Sequence, residues 1–227
     1  MTDSSNITVE EKIMDANEKL ALDNHEQFNA AGVFALNMMA SPGGGKTSVI
    51  LKTVKALSSE CRIGVLDGDV VDIDLRELRT MDIPVSLINT GGSCHLDANM
   101  VHSALPDLPL NDLDLLIIEN VGNLICPMAF DLGVHRRVVI ASVPEGSDKP
   151  YKYPNMFRGA EVLLLNKMDL QEYMEFDVEY FKHGVEVLNP GVAFFPISCR
   201  TGEGFDAWLD WLRAQLAAHA SERSASR

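Results

Sequence analysis

Residues 33–57 read VFALNMMASPGGGKTSVILKTVKAL, and this stretch sets the expected fold. An apolar run of strand length comes first, a glycine-rich turn from Ala40 to Thr47 follows, and a segment with helical periodicity comes last. A glycine-rich turn that leads into a helix directs several backbone N–H groups at one point, where the helix dipole adds partial positive charge. A polyphosphate needs both features, so the stretch predicts a strand, a phosphate-binding loop and a helix.

Two side chains of this loop have predicted catalytic roles. The Lys46 ammonium would reach the β- and γ-phosphates, and the Thr47 hydroxyl would bind Mg²⁺. The loop departs from the pattern GxxxxGK[ST] at one position, because Ala40 stands where the first glycine belongs. That position must therefore adopt a φ that alanine can reach. The predicted nucleotide contacts are Gly43, Gly44, Gly45, Lys46, Thr47 and Ser48.

Six more apolar runs of strand length follow along the chain. They begin at Cys61, Ile83, Asp114, Arg136, Ala160 and Val192. Each is continuous rather than alternating in polarity, which is typical of strands buried on both faces of a parallel sheet. With the first run they predict a doubly wound α/β fold with a mainly parallel, seven-stranded sheet, namely a P-loop NTPase with an N-terminal helix. Functional groups are expected at the carboxyl ends of the strands.

The chain divides into three predicted parts. Residues 1–32 form a tail and an acidic amphipathic helix from Val9 to Ala31, residues 33–216 form the P-loop domain, and residues 217–227 form a polar tail. The apolar side chains of the first helix are Ile13, Ala16, Leu20, Leu22 and Phe28. Three prolines between Val143 and Pro154 predict a long surface loop.

Composition excludes several classes of function. The formal net charge is −14 at pH 7, so the basic surface that a nucleic-acid-binding protein needs is missing. No apolar run approaches the roughly 18 residues of a membrane span, and the first residues do not resemble a secretory signal. The 4 cysteines are too scattered for a disulfide framework. We therefore expect a cytoplasmic protein with reduced thiols.

The sequence Asn166-Lys167-Met168-Asp169, directly after an apolar run, predicts which base is bound. The Asp169 carboxylate can accept hydrogen bonds from the N1–H and 2-amino groups of guanine, whereas adenine has neither donor there. A site built on such polar pairing discriminates by a factor on the order of 10⁴. Asn166 and Lys167 complete this predicted loop, and a second base-contacting loop is expected at Ser198, Cys199 and Arg200.

Two acidic segments are candidates for binding magnesium and for responding to the nucleotide. Asp67-Gly-Asp69 follows the second run, and we prefer Asp69 as the ligand because it lies nearer the strand end. Glu119-Asn-Val-Gly122 follows the fourth run and is similar to a DxxG motif with Glu119 as the carboxylate. The Gly122 N–H can bind a γ-phosphate only while that phosphate is present, so loss of the phosphate would release this loop.

Cys94, His95 and Cys126 form a candidate site for a softer metal. They lie on loops that leave predicted carboxyl ends of strands, and thiolate and imidazole suit Zn²⁺ and Ni²⁺. Because these ligands underfill a tetrahedron, a two-fold dimer could complete the site. On the residues alone the pattern is only suggestive, and free thiols with a surface histidine are the favoured explanation. The histidines at 102, 135, 183 and 219 are expected at helix or loop surfaces.

The segments MASPGGGKTS, INTGGSCHLDANMV, IENVGNLICP, EGSDKPYKYPNMF and LLLNKMDL together resemble one family. From about Ile13 to Leu212 the chain resembles the hydrogenase nickel-incorporation GTPases, the HypB family of the SIMIBI class of P-loop GTPases. The resemblance implies GTP hydrolysis with GTP-dependent homodimerisation, and Ni²⁺ or Zn²⁺ binding by Cys94, His95 and Cys126. It implies two partners: a zinc- and nickel-binding hydrogenase accessory protein and the hydrogenase large-subunit precursor.

Two alternatives stay open. One is a sibling GTPase that handles nickel for another enzyme such as urease, and the other is a nucleotide-binding metal buffer or scaffold without significant turnover. The alanine at position 40 keeps the second alternative open. A glutamine that could orient the attacking water is missing after Gly122, where Asn123 stands, so slow intrinsic turnover is expected.

Overall fold

A computed structural model of the chain describes residues 9–68 and 75–225. All seven predicted strands are confirmed, and they form one parallel sheet in the order β3-β2-β4-β1-β5-β6-β7. The strands are β1 (Phe34–Ala40), β2 (Ile63–Asp67), β3 (Val85–Leu87), β4 (Leu115–Glu119), β5 (Arg136–Ser142), β6 (Val162–Asn166) and β7 (Ala193–Pro196). The helices are α1 (Val9–Ala31), α2 (Lys46–Leu57), α3 (Leu75–Thr80), α4 (Ala98–Ala104), α5 (Lys149–Lys152), α6 (Val178–Leu188) and α7 (Phe205–Ala225).

Helices cover both faces of the sheet. Along β1 the side chains alternate, so that Leu36 and Met38 pack with α2 and α7, while Ala35 packs with α1 and α4 and Met39 with α6. The central strands are buried on both sides over most of their length, which is why their sequences are mostly apolar. The doubly wound α/β fold predicted from the sequence is therefore confirmed.

The N-terminal helix has the predicted bounds but packs through a different face. Leu22 is 65% exposed and Ile13 is 54% exposed, whereas Asn17 and Asn24 are buried together with Phe28. Asn17 accepts a hydrogen bond from the Ala98 N–H at 2.8 Å, and Asn24 donates to the Ala98 carbonyl at 2.9 Å. The predicted apolar face is wrong at Ile13 and Leu22, because hydrogen bonds to α4 bury polar side chains instead.

The predicted polar tail from residue 217 is also wrong within the described residues, since α7 continues to Ala225. Arg223 donates to the Gly32 carbonyl at 3.0 Å, and the His219 ring lies 5.6 Å from that of Phe34. These contacts attach the last turns of α7 to the start of β1. The backbone N–H and C=O groups of these turns are paired by the hydrogen bonds of the helix. Among the described helices, none is long and apolar enough to cross a lipid bilayer.

Candidate nucleotide and metal site

The phosphate loop joins β1 to α2 with the predicted glycine geometry. Gly43 has φ 74° and Gly45 has φ 94°, in the left-handed region that favours glycine. Ala40, by contrast, is the last, fully buried residue of β1 and is not among the residues with positive φ. The first glycine of the pattern is therefore dispensable here, because its position is ordinary extended backbone.

Lys46, Thr47 and Glu119 converge at the head of this loop. The Lys46 Nζ lies 3.2 Å from Glu119 Oε1, and the Thr47 hydroxyl donates to the same oxygen at 2.8 Å. Lys46 and Glu119 are both buried, so their charges are screened little by water. A hydroxyl and a carboxylate are donors that Mg²⁺ prefers. The predicted ligand Asp69 lies outside the described residues, while Asp67 is buried at the end of β2.

The predicted base loop is tied directly to the phosphate loop. Asn166 donates to the Gly44 carbonyl at 3.1 Å, and the Lys167 ammonium donates to the Gly43 carbonyl at 2.6 Å. The Asn166 side-chain oxygen accepts from the backbone N–H groups of Lys167 at 2.8 Å and Cys199 at 3.2 Å. One amide side chain therefore fixes the relative positions of the phosphate loop and both predicted base loops.

Asp169 is held by the second base loop. The Ser198 hydroxyl donates to Asp169 Oδ1 at 2.6 Å, and the Arg200 guanidinium lies 4.0 Å from Oδ2. A cavity of about 640 Å³ is lined by Asp169, Asn166, Lys167, Cys199 and Arg200, together with Gly45 and Ser48 of the phosphate loop. Burial raises the pKa of the Cys199 thiol to about 11, which keeps it protonated and unsuited to hold a metal.

The candidate soft-metal residues are neighbours. Hydrogen bonding to Cys126 raises the pKa of the Cys94 thiol, which indicates that the two cysteines lie near each other. The Cys94 Sγ lies 3.7 Å from His95 Nδ1, and the His95 ring stacks on Phe130 with centroids 3.9 Å apart. Burial lowers the pKa of His95, which favours the neutral imidazole that binds metals. In the described part of the chain, however, no three His, Cys, Asp or Glu side chains are arranged to hold a metal ion.

Three cavities adjoin along the carboxyl edge of the sheet. The base cavity shares Gly45 and Lys167 with a phosphate cavity of about 560 Å³. The phosphate cavity shares Ser41 and Gly122 with a third cavity of about 480 Å³, and Cys94 lines that third cavity. The structure thus places one of the predicted metal ligands beside the predicted γ-phosphate contact.

A lysine that sequence reasoning missed also contacts the phosphate loop. Lys149 donates to the Ser41 hydroxyl at 2.5 Å and forms an ion pair with Glu145, and burial lowers its pKa to about 8. The predicted surface loop from Val143 to Pro154 instead contains two 3-10 turns and α5, with Lys149 and Pro150 buried. The prediction was wrong because a proline is compatible with the first turn of a helix.

Two histidines expected at the surface, His135 and His219, are half-buried in a cluster with His25. The His135 ring lies 5.0 Å from that of His25 and 4.6 Å from that of His219. His135 Nδ1 accepts a hydrogen bond from the Ala35 N–H at 2.9 Å, and burial lowers its pKa to about 3. His135 is therefore a neutral structural residue rather than a surface one.

The parallel sheet, the phosphate loop and the Asn166–Asp169 loop define a P-loop nucleotide-binding protein. Comparison with known proteins gives the family. A family model described as "CobW/HypB/UreG, nucleotide-binding domain" matches residues 34–196. The chain belongs to this family and, within it, to the HypB hydrogenase maturation factors.

Individual relatives support that assignment. The chain is 44% identical over 213 residues to hydrogenase maturation factor HypB of Escherichia coli K12, covering 93% of this chain and 73% of the relative. A crystal structure of HypB from Archaeoglobus fulgidus has a TM-score of 0.85 and 42% identity, covering 89% of this chain and 99% of that one. A structure of Helicobacter pylori HypB in complex with nickel has a TM-score of 0.84 and 34% identity, covering 89% and 96%.

Proposed function

We propose that the protein is a GTP-hydrolysing metallochaperone that binds nickel and delivers it during maturation of [NiFe]-hydrogenase. The observation that carries the proposal is the third cavity, which is lined by Cys94, by the phosphate-loop residue Ser41 and by Gly122. The proposed soft-metal ligand Cys94 and the proposed γ-phosphate contact Gly122 thus line one cavity. The nickel complex of the H. pylori relative supports the choice of metal.

Guanine specificity is proposed to rest on Asp169. Its carboxylate is held by the Ser198 hydroxyl, so it is oriented before the nucleotide arrives. Guanine would satisfy this carboxylate with N1–H and the 2-amino group, whereas adenine would leave a desolvated charge without a partner. Preorganisation of this kind favours GTP over ATP at the level of binding.

Hydrolysis is proposed to depend on Lys46 and on the Thr47–Glu119 pair. Lys46 would stabilise charge on the transferred phosphoryl group, and Thr47 with Glu119 would hold Mg²⁺, which neutralises the phosphates when bound. Asn123 is engaged elsewhere, since its amide donates to the Cys94 carbonyl at 3.2 Å and accepts from the Ile125 N–H at 3.0 Å. Intrinsic turnover should therefore be slow.

The metal ligands are proposed to be Cys94, His95 and Cys126, with Ni²⁺ as cargo and Zn²⁺ as a competing ion. Cys94 is exposed and Cys126 is half-exposed, so a metal can reach both thiols. Three ligands leave a fourth position open, and a second copy of the chain, associated when GTP is bound, could supply it. The receiving partners are proposed to be a nickel-binding accessory protein and the hydrogenase large-subunit precursor. Reduced thiols at the site fit a cytoplasmic location.

Two measurements test the proposal. First, phosphate release should occur with GTP and be negligible with ATP, and Asp169→Asn should abolish that preference. Second, Ni²⁺ titration should give a different affinity with GDP than with a non-hydrolysable GTP analogue, and light scattering should show dimers only with the analogue. Cys126→Ala should weaken Ni²⁺ binding, while the matched control Cys61→Ala, a thiol that packs against the core, should not. Equal turnover of both nucleotides, or Ni²⁺ affinity that ignores nucleotide and Cys126, would contradict the proposal.

A further inference from the structure

Asn120 is a buried amide between the phosphate site and the cysteine loop. It follows Glu119 directly and is fully buried. Its side-chain oxygen accepts two hydrogen bonds, from the Leu96 N–H at 3.0 Å and the Val121 N–H at 2.9 Å. Two donors on one oxygen fix the orientation of the amide, so its nitrogen must donate on the other side, where it bonds Asn37 Oδ1 at 3.1 Å.

Leu96 connects this amide to the metal loop because it directly follows His95. Its side chain is fully buried and lies in one apolar cluster with Leu66 of β2 and Ile118 of β4. A Cβ added to Gly68 would lie only 2.6 Å from Leu96 Cδ2, and the Gly68 N–H donates to the Glu119 carbonyl at 2.9 Å. The Leu96 side chain, next to His95, therefore packs near the two strand ends that carry the acidic candidates.

Asn37 connects the Asn120 amide to the strand that leads into the phosphate loop. It lies in β1, three residues before the phosphate loop begins, and is almost fully buried. Among the described residues its Nδ2 has no hydrogen-bond partner. A buried amide N–H without a partner costs free energy, and a leucine at this position would avoid that cost. The presence of Asn37 therefore implies that its side-chain oxygen is needed. That oxygen accepts the hydrogen bond from Asn120.

We propose that Asn120 is a positioning residue that transmits the nucleotide state to the metal loop. This inference rests on the proposed function and adds the residue through which the site is regulated. When the loop containing Val121 moves to meet a γ-phosphate, the amide of Asn120 moves with it through the Val121 N–H. The Leu96 N–H belongs to a fully buried residue, so losing this acceptor would cost free energy, and the backbone next to His95 follows the amide.

A matched pair of substitutions tests the connection. In Asn120→Ser the hydroxyl still accepts from the adjacent Val121 N–H but is one bond too short to reach Leu96. Asn120→Asp keeps an oxygen at the same reach, and Asn37 can turn its amide over so that its unpartnered Nδ2 donates to the second oxygen. The two variants thus differ in the bond to Leu96.

The measurement is the ratio of Ni²⁺ dissociation constants with GDP and with a non-hydrolysable GTP analogue. If the wild-type ratio is roughly 5- to 150-fold, a typical allosteric size, it should fall to about one in Asn120→Ser and persist in Asn120→Asp. A ratio retained in Asn120→Ser, or lost equally in both variants, would overturn the inference. A wild-type ratio of one would instead contradict the proposed function.

A second measurement needs no variant. Amide hydrogen exchange at Leu96 in the wild-type protein should change when GDP is replaced by the GTP analogue. If Asn120→Ser does not fold, this experiment decides alone, and unchanged protection of the Leu96 amide would overturn the inference.

Discussion

Replacing Gly45 by alanine should weaken nucleotide binding much more than replacing Gly43. Both glycines have positive φ, 94° and 74°, so each alanine is strained by its backbone. A Cβ at position 45 would lie 2.3 Å from Asn166 Nδ2, whereas a Cβ at position 43 would meet nothing within 4 Å. Gly43→Ala is therefore a control that carries the backbone strain without the collision.

The size of the difference follows from the contacts of Asn166. Left-handed backbone costs an L-residue about 1–2 kcal/mol, and this contribution is similar in both variants. Only Gly45→Ala displaces the Asn166 amide from the Gly44 carbonyl, which it bonds at 3.1 Å. An unmade buried hydrogen bond costs about 1–3 kcal/mol, which corresponds to a roughly 5- to 150-fold difference in dissociation constant.

The assay is competition of GDP against a fluorescent GDP analogue, with circular dichroism to show that both variants fold. The free loop can relax around the new methyl group, and nucleotide binding must restore its geometry, so the cost is measured as lost affinity. Equal GDP dissociation constants for Gly43→Ala and Gly45→Ala would show that the hydrogen bond from Asn166 to the Gly44 carbonyl does not stabilise the phosphate loop.

Three further changes test other parts of the fold. Ala40→Gly should leave GDP affinity within about twofold of wild type and lower the unfolding free energy in urea by about 1 kcal/mol, because position 40 is extended backbone. Thr53→Val should lower the unfolding free energy by about 1–3 kcal/mol, because the buried Trp208 indole N–H loses its acceptor at 2.9 Å, and adding Trp208→Phe should recover part of the loss. His135 has a folded-state pKa of about 3, below its ordinary value of 6.5, so the unfolded chain binds more protons in acid. Stability should therefore fall as the pH drops below about 6.5, by up to about 1 kcal/mol per pH unit given the partial exposure of the ring, and His135→Gln should flatten the urea midpoint over that range.

Each of these has a contrary outcome. A loss of GDP affinity of about tenfold in Ala40→Gly would mean that the alanine methyl group shapes the phosphate loop. A Thr53→Val protein of wild-type stability would mean that the indole finds another acceptor. An unchanged pH dependence in His135→Gln would assign the acid loss to other groups, of which the neighbouring His25 and His219 would be tested next.

The sequence predicted the sheet well because strands buried on both faces are apolar at most positions. The phosphate loop was equally clear, since Gly43 and Gly45 supply the positive φ values that the turn requires. The packing face of α1 was not predictable by the same rule, because Asn17 and Asn24 are buried through hydrogen bonds to backbone groups far along the chain. Periodicity of apolar residues carries no signal for such pairs.

The unpredicted parts of the site also depend on hydrogen bonds between residues that are distant in sequence. Lys149 and Asn120 act through partners, Ser41 and Leu96, that are distant in sequence. The residue types around Lys149 predicted a loop, and nothing local indicates that its ammonium is buried. The predicted metal ligands had a local signal in the thiols, but the proximity of Cys94 to Cys126 depends on the sheet bringing two loops together.

The strand order determines how the parts of the site can influence one another. β1 is the central strand of the sheet, with the base-binding loops following β6 and β7 on one side and the cysteine loops following β3 and β4 on the other. The phosphate cavity adjoins both neighbours, while among the described residues none lines both the base cavity and the cysteine cavity. We therefore expect information about the nucleotide to reach Cys94 through the phosphates. It follows that changing the base contact at Asp169 should alter which nucleotide binds and leave unchanged how strongly its γ-phosphate affects the metal.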